Sequence, residues 1–142
     1  MRDPQQRPTD HTGLRILGLD DCLERLSATP VGRIAFPLDG EITILPVAHV
    51  VDGVDVCFRT TGDSKIQAAL DHDKVAYEVD GYDADARTGW SVLVQGTAVI
   101  EDVDADVERL DRIARRPWVP MHEEASTWVR VRTQSITGRE LG

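Results

Sequence analysis

Apolar residues recur at every second position through most of this 142-residue chain, and at roughly helical spacing in three short stretches. The first helical stretch lies in LGLDDCLERLSATPVG, where Leu19, Leu23 and Leu26 share a stripe, Asp20 is a candidate N-cap and Pro30 stops the helix. VGRIAFPL then alternates, with Ile34, Phe36 and Leu38 on one side. Asp39-Gly40 separates it from EITILPVAHVV, a strong hairpin signal. That run is apolar on both faces, Ile42, Ile44, Ala48 and Val50 against Leu45, Val47 and Val51. A strand of this kind needs a core on one side and a second cover on the other.

Asp52-Gly53 marks a second hairpin, leading into VDVCFRTT, where Arg59 points away from the face that Phe58 packs. Residues 63–72 read as a helix with Ile66, Ala69 and Leu70 on one stripe. KVAYEVDGY reads as a strand with Val75, Tyr77 and Val79 inward. A long strand, WSVLVQGTAVIED, follows the turn-rich DADARTG. DVERLDRIARR reads as a helix ended by Pro117 and Pro120, and WVRVRTQSITGREL closes the chain as a strand. The sum is about six strands and three short helices, mainly β with short α. Tight turns join most neighbouring strands, so the sheet is expected to be largely antiparallel and to close as a small barrel.

Composition narrows the class. The length suits one domain with a real hydrophobic core. No apolar run approaches the ~20 residues of a membrane helix. The N-terminus lacks an apolar stretch of the signal-peptide kind, and residues 1–18 read as a flexible polar arm before a domain over 19–142. These features predict a cytoplasmic protein with no membrane partner. A formal net charge of −9 disfavours nucleic acid, whose phosphates need a basic face. Arginines 109, 112, 115 and 116 are interleaved with Asp104, Asp106, Glu108 and Asp111, the usual dress of a solvated helix. Two cysteines, Cys22 and Cys57, and four scattered histidines show no spacing for a disulfide framework or a zinc site.

The chemistry gathers in FRTTGDSKIQAAL. Fourteen of the sixteen basic residues are arginine, and Lys65 is one of only two lysines. Asp63 or Thr61 can cap a helix beginning near Ser64, and Gly62 permits a sharp turn. Ser64 offers a hydroxyl, Lys65 a mobile cation and Arg59 a planar fork suited to phosphate oxygens. The Walker pattern is absent, and solvated surface charge is the competing reading. His49, among apolar neighbours, reads as a histidine satisfied by a backbone group, with contact to a cofactor ring as the alternative. Trp90 and Trp128 read as core or interface anchors, and Trp118 as a plug at a barrel end. No nucleophile stands with an activating base, so no catalytic residue is assigned.

The order of a short helix, VGRIAF, ILPVAHVVDGVDVCFRTTGDSK, KVAYEVD and RTGWSVLVQGTA resembles the pyridoxamine 5′-phosphate oxidase-like family, and within it the short actinobacterial members with a split-barrel flavin-binding fold. The resemblance runs from about Leu19 to Leu141. It implies a homodimer with two FMN sites in grooves between subunits. Pro46, Val47, Ala48 and His49 would run beside the flavin ring, and Arg59, Thr60, Ser64 and Lys65 would hold the phosphate. Trp90 and Ser91 would reach the flavin from the partner. Some relatives of this fold bind a deazaflavin or haem instead. The oxidases proper are longer and carry a C-terminal tryptophan and arginine-rich motif that this chain lacks, and an uncharged aromatic usually stands where Arg59 does. The resemblance therefore implies a flavin-dependent oxidoreductase of unknown small substrate, rather than a true pyridoxamine phosphate oxidase. The alternative is a non-catalytic flavin-binding or sensor module.

Overall fold

A computed structural model describes residues 8–61, 64–114 and 126–142. The elements run β1 (Arg15–Leu17), α1 (Leu19–Ala28), β2 (Val31–Leu38), β3 (Glu41–Asp52), β4 (Asp55–Thr61), α2 (Ser64–Leu70), β5 (Lys74–Asp83), β6 (Thr88–Ile100), α3 (Asp104–Ile113) and β7 (Ser126–Leu141). The β2–β3 turn forms at Asp39 and Gly40, both with positive φ, 52° and 80°, as a tight hairpin with right-handed strand twist requires. In the β3–β4 hairpin Asp52 pairs with Asp55, so the turn residues are Gly53 and Val54, one position later than the pattern suggests.

All strand pairings are antiparallel, in the order β1-β7-β4-β3-β2-β5-β6, and β6 also pairs with β7. That last pairing closes β2–β7 into a six-stranded barrel, with β1 added outside on β7. The expected barrel of about six strands and three helices is therefore present, with one strand more. The extra strand lies within the stretch read as an arm: Arg15–Leu17 pair with Gly138–Glu140, and Leu17 is buried. Asp20 is not the cap of α1. Gly18 takes that position without a side-chain bond, and Asp20 sits inside the first turn, where its charge suits the helix dipole.

Alternation sends Ile34, Phe36, Val56, Phe58, Val75, Tyr77, Val79, Val92 and Val94 inward. Leu26 of α1 and Leu70 of α2 complete this core. α3 packs on the outside instead. Its Leu110 meets Cys57 and Trp128 in a second cluster, against which Val50 packs. The outer face of β3 is thus covered at Val50 but open further back, where Ile42 is 84% and Ile44 61% exposed.

Candidate functional site at the β3–β4 fork

β3 pairs with β2 along Glu41–Ala48 but with β4 only over His49–Asp52. Past Phe58, β4 stays with β7 as far as the Thr61–Ser126 pair. The two strands therefore diverge beyond the His49–Phe58 pair. Among the described residues no strand pairs with the second edge of Glu41–Ala48, so that edge presents backbone groups outside the sheet ladder, the Val47 carbonyl being 3.4 Å from the Tyr77 hydroxyl. One limb of this fork carries Pro46, Val47 and Ala48, and the other carries Arg59 and Thr60. Sequence reasoning named both sets; the divergence that places them around one opening is a property of the barrel.

His49, at the crotch, turns its side chain to the interior and is 6% exposed. Its Nε2 lies 2.8 Å from the Leu26 carbonyl, which can only accept, so Nε2 carries the hydrogen. Nδ1 then accepts from the Tyr77 hydroxyl. The two rings meet edge to face at 5.0 Å. Tyr77 owes its place to Gly32, where a Cβ would stand 2.5 Å from the phenol ring. Burial pushes the Tyr77 phenol well above its ordinary value, which keeps it a donor. His49 is thus the backbone-satisfied histidine of the bland reading, bracing β3 from beneath.

Arg59 faces outward, as alternation requires, yet its side chain is only 12% exposed. Its guanidinium lies over the Trp128 ring, 5.0 Å from the centroid, and its Nη1 is 3.8 Å from Asp111 Oδ1. Trp128 Nε1–H donates to the same Oδ1 at 2.8 Å. The Arg59–Asp111 separation exceeds hydrogen-bond range. Among the described residues the Arg59 guanidinium forms no hydrogen bond, so a nearly buried cation has donors to offer an acceptor. The Thr60 hydroxyl is likewise buried without a partner. Sequence reasoning missed Asp111, since a carboxylate in a charged helix gives no local signal, and it read Trp128 only as an anchor. Trp118 and the side chains of Ser64 and Lys65 lie outside the described residues.

Trp90 and Ser91 stand on β6, three strands round the barrel from β3, so one chain does not bring them to the fork. They line a groove of about 430 Å³ with Tyr82, Arg139 and Leu14. Arg25 sits over the Trp90 ring at 5.0 Å while bonding Glu140 at 2.7 Å. The indole also needs Gly81, where a Cβ would come within 2.7 Å of Nε1. On the outer wall between these regions, burial and then Asp80 push the Glu78 carboxyl up to about 7, opposed by Arg33 at 3.5 Å.

Other chemistry finds little support. Burial pushes the Cys57 thiol up to about 12, which keeps it protonated and unreactive. Among the described residues no group of three or more His, Cys, Asp or Glu is arranged to hold a metal ion, and no helix is long and apolar enough to cross a membrane.

The family profile described as pyridoxamine 5′-phosphate oxidase matches residues 19–140. The chain belongs to this family. Among solved structures, an FAD-binding protein of Mycobacterium smegmatis is 33% identical, with a TM-score of 0.77 over 89% of this chain and 99% of that one. A conserved protein of unknown function from Corynebacterium diphtheriae is 29% identical, with a TM-score of 0.76 over 91% of this chain and 98% of that one. An FAD-binding protein of Mesorhizobium loti, at 22% identity, shares the fold with a TM-score of 0.72 over 91% of this chain and 99% of that one. No curated protein matches the sequence. This pyridoxamine 5′-phosphate oxidase family member therefore shares a whole-chain architecture with proteins described as flavin-binding.

Proposed function

We propose that this family member binds a flavin at the β3–β4 fork, as a homodimer, and serves as a flavin-dependent oxidoreductase for a small substrate. The carrying observation is the fork itself: an open apolar strand edge on one limb and the under-bonded Arg59 guanidinium on the other. A planar ring whose rim carries donors and acceptors matches a free strand edge, and a phosphate matches a planar cationic fork. In this reading Pro46, Val47 and Ala48 line the ring, with His49 bracing them. Arg59 and Thr60 take the phosphate end, joined by Ser64 and Lys65. Trp90 and Ser91 come from the second copy, since within one chain they lie round the barrel. The exposed row of Ile42, Ile44 and Pro46 supplies an apolar surface for that copy.

The flavin would supply hydride or electron transfer, while the protein binds and orients it. FMN is the form proposed. FAD, bound by the relatives in M. smegmatis and M. loti, and a deazaflavin or haem are the competing forms. A second reading, a flavin-binding or sensor protein without turnover, is favoured by the locked His49 and the protonated Cys57, which leave the fork poor in acid–base groups among the described residues. A cytoplasmic setting goes with either reading.

The test starts with purified protein. Its visible spectrum and the mass of any released chromophore identify the cofactor, and the stripped protein is then titrated with riboflavin, FMN and FAD. Arg59→Ala is expected to weaken FMN about ten- to a hundredfold, the range of a charge-assisted hydrogen bond, and to leave riboflavin nearly unchanged. Failure of every flavin to bind would overturn the proposal. Reduction of the bound flavin by a nicotinamide donor, with transfer to an acceptor, separates the enzyme from the passive binder.

A further inference from the structure

We infer that Asp111 of α3 is a built-in competitor for the anion site at Arg59, making α3 an element that holds down the affinity of that site for a phosphate-bearing ligand. The inference rests on the reading of Arg59 as the phosphate contact. Three facts about Asp111 carry it. Its Oδ1 is held at 2.8 Å by the indole N–H of Trp128, the ring on which the guanidinium lies. The same oxygen stands 3.8 Å from Arg59 Nη1, close enough for Coulomb attraction and too far for a hydrogen bond. The Asp111 side chain is 53% exposed, so the pair faces solvent on the carboxylate side, where an incoming anion would arrive.

The helix cannot simply slide to shorten this contact. Leu110 is fully buried beside Cys57 and Trp128, and Arg109 bonds Asp52 at 2.7 Å and Asp106 at 2.8 Å. Docking of α3 therefore sets the carboxylate at a distance that lowers the positive potential at Arg59 without using its donors. An anion gains less there because one negative charge is already nearby, and a dianion loses more than a monoanion because the repulsion scales with its charge. A phosphate still binds because its acceptor oxygens can engage the planar donor array, which the carboxylate at 3.8 Å does not use, while an uncharged ligand does not feel the carboxylate.

Asp111→Asn tests this, because the amide oxygen still accepts from the Trp128 indole while the charge is gone. Affinities for FMN and riboflavin are measured side by side on stripped protein, with Asp111→Ala as a second variant. Thermal melts without ligand check that each is folded. The expected result is a gain of about three- to tenfold for FMN in both variants, with riboflavin unchanged. A general packing defect would move both ligands alike. An unchanged or lowered FMN-to-riboflavin ratio in Asp111→Asn would overturn the inference and leave Asp111 as a support for Trp128. If wild-type protein bound riboflavin as tightly as FMN, the phosphate reading of Arg59 would fall first and the inference with it.

Discussion

At the residue scale, the fork depends on side chains that never face it. Tyr77, His49 and Leu26 form a chain from the barrel interior to α1, and the Tyr77 hydroxyl is also 3.4 Å from the Val47 carbonyl. Tyr77→Phe keeps the ring but removes the hydroxyl that donates to the buried His49 Nδ1. The expected loss of stability is about 1–3 kcal/mol by urea unfolding. A flavin affinity that falls along with it would tie the bolt to the site. His49 was legible from its apolar surroundings, but its partners lie 23 and 28 positions away, and no local pattern names them. Arg59 was legible as an outward cation after Phe58. That it is nearly buried over an indole follows only from the pairing of Arg59 with Trp128 across β4 and β7.

At the scale of elements, α3 shows how a solvated-looking helix acquires structural work. Its alternating charges suggest a face turned to water, and Asp104 and Glu108 are exposed. Arg109 nevertheless reaches Asp52 at the β3–β4 hairpin, where Arg130 of β7 also bonds Asp52, Asp55 and Glu101. The hub ties the hairpin to the barrel wall. Hydrogen bonds from Arg109 and then Arg130 hold the Asp52 carboxyl down at about 2. The folded value lies below that of an unfolded aspartate, about 3.9, so this contribution is complete above about pH 4 and lost as pH falls toward about 2. Urea unfolding of wild type and Asp52→Asn across that window should show the gap between them closing on acidification. A gap that stays constant with pH would mean that Asp52 acts through packing alone.

At the scale of the whole molecule, closure of the barrel by β6 and β7 decides which faces remain for a partner. The outer face of β3 is covered by α3 at Val50 and open at Ile42, Ile44 and Pro46. A stable dimer buries on the order of 800 Å² per partner, and an apolar row at the centre of that area tolerates no charge. Ile44→Glu is therefore expected to turn a dimer into a folded monomer, read by sedimentation or light scattering at micromolar concentration. If wild-type protein sediments as a monomer, or the variant remains a dimer, this face is not the interface.

Because side-chain period and turn chemistry are local, the hydrophobic alternation, the Asp-Gly turns and the helical stripes were enough to determine six of the strands, the three helices and a largely antiparallel barrel, though not β1. The doubly apolar run at 42–51 likewise announced a face needing a cover. Only the tertiary structure decided that α3 covers one half of that face, that β4 leaves β3 after Phe58, and that Asp111 comes to Arg59. Each of these follows from strand register and from pairings between residues dozens of positions apart. Such pairings are set by how the whole barrel closes, and a local stretch of sequence holds no trace of them.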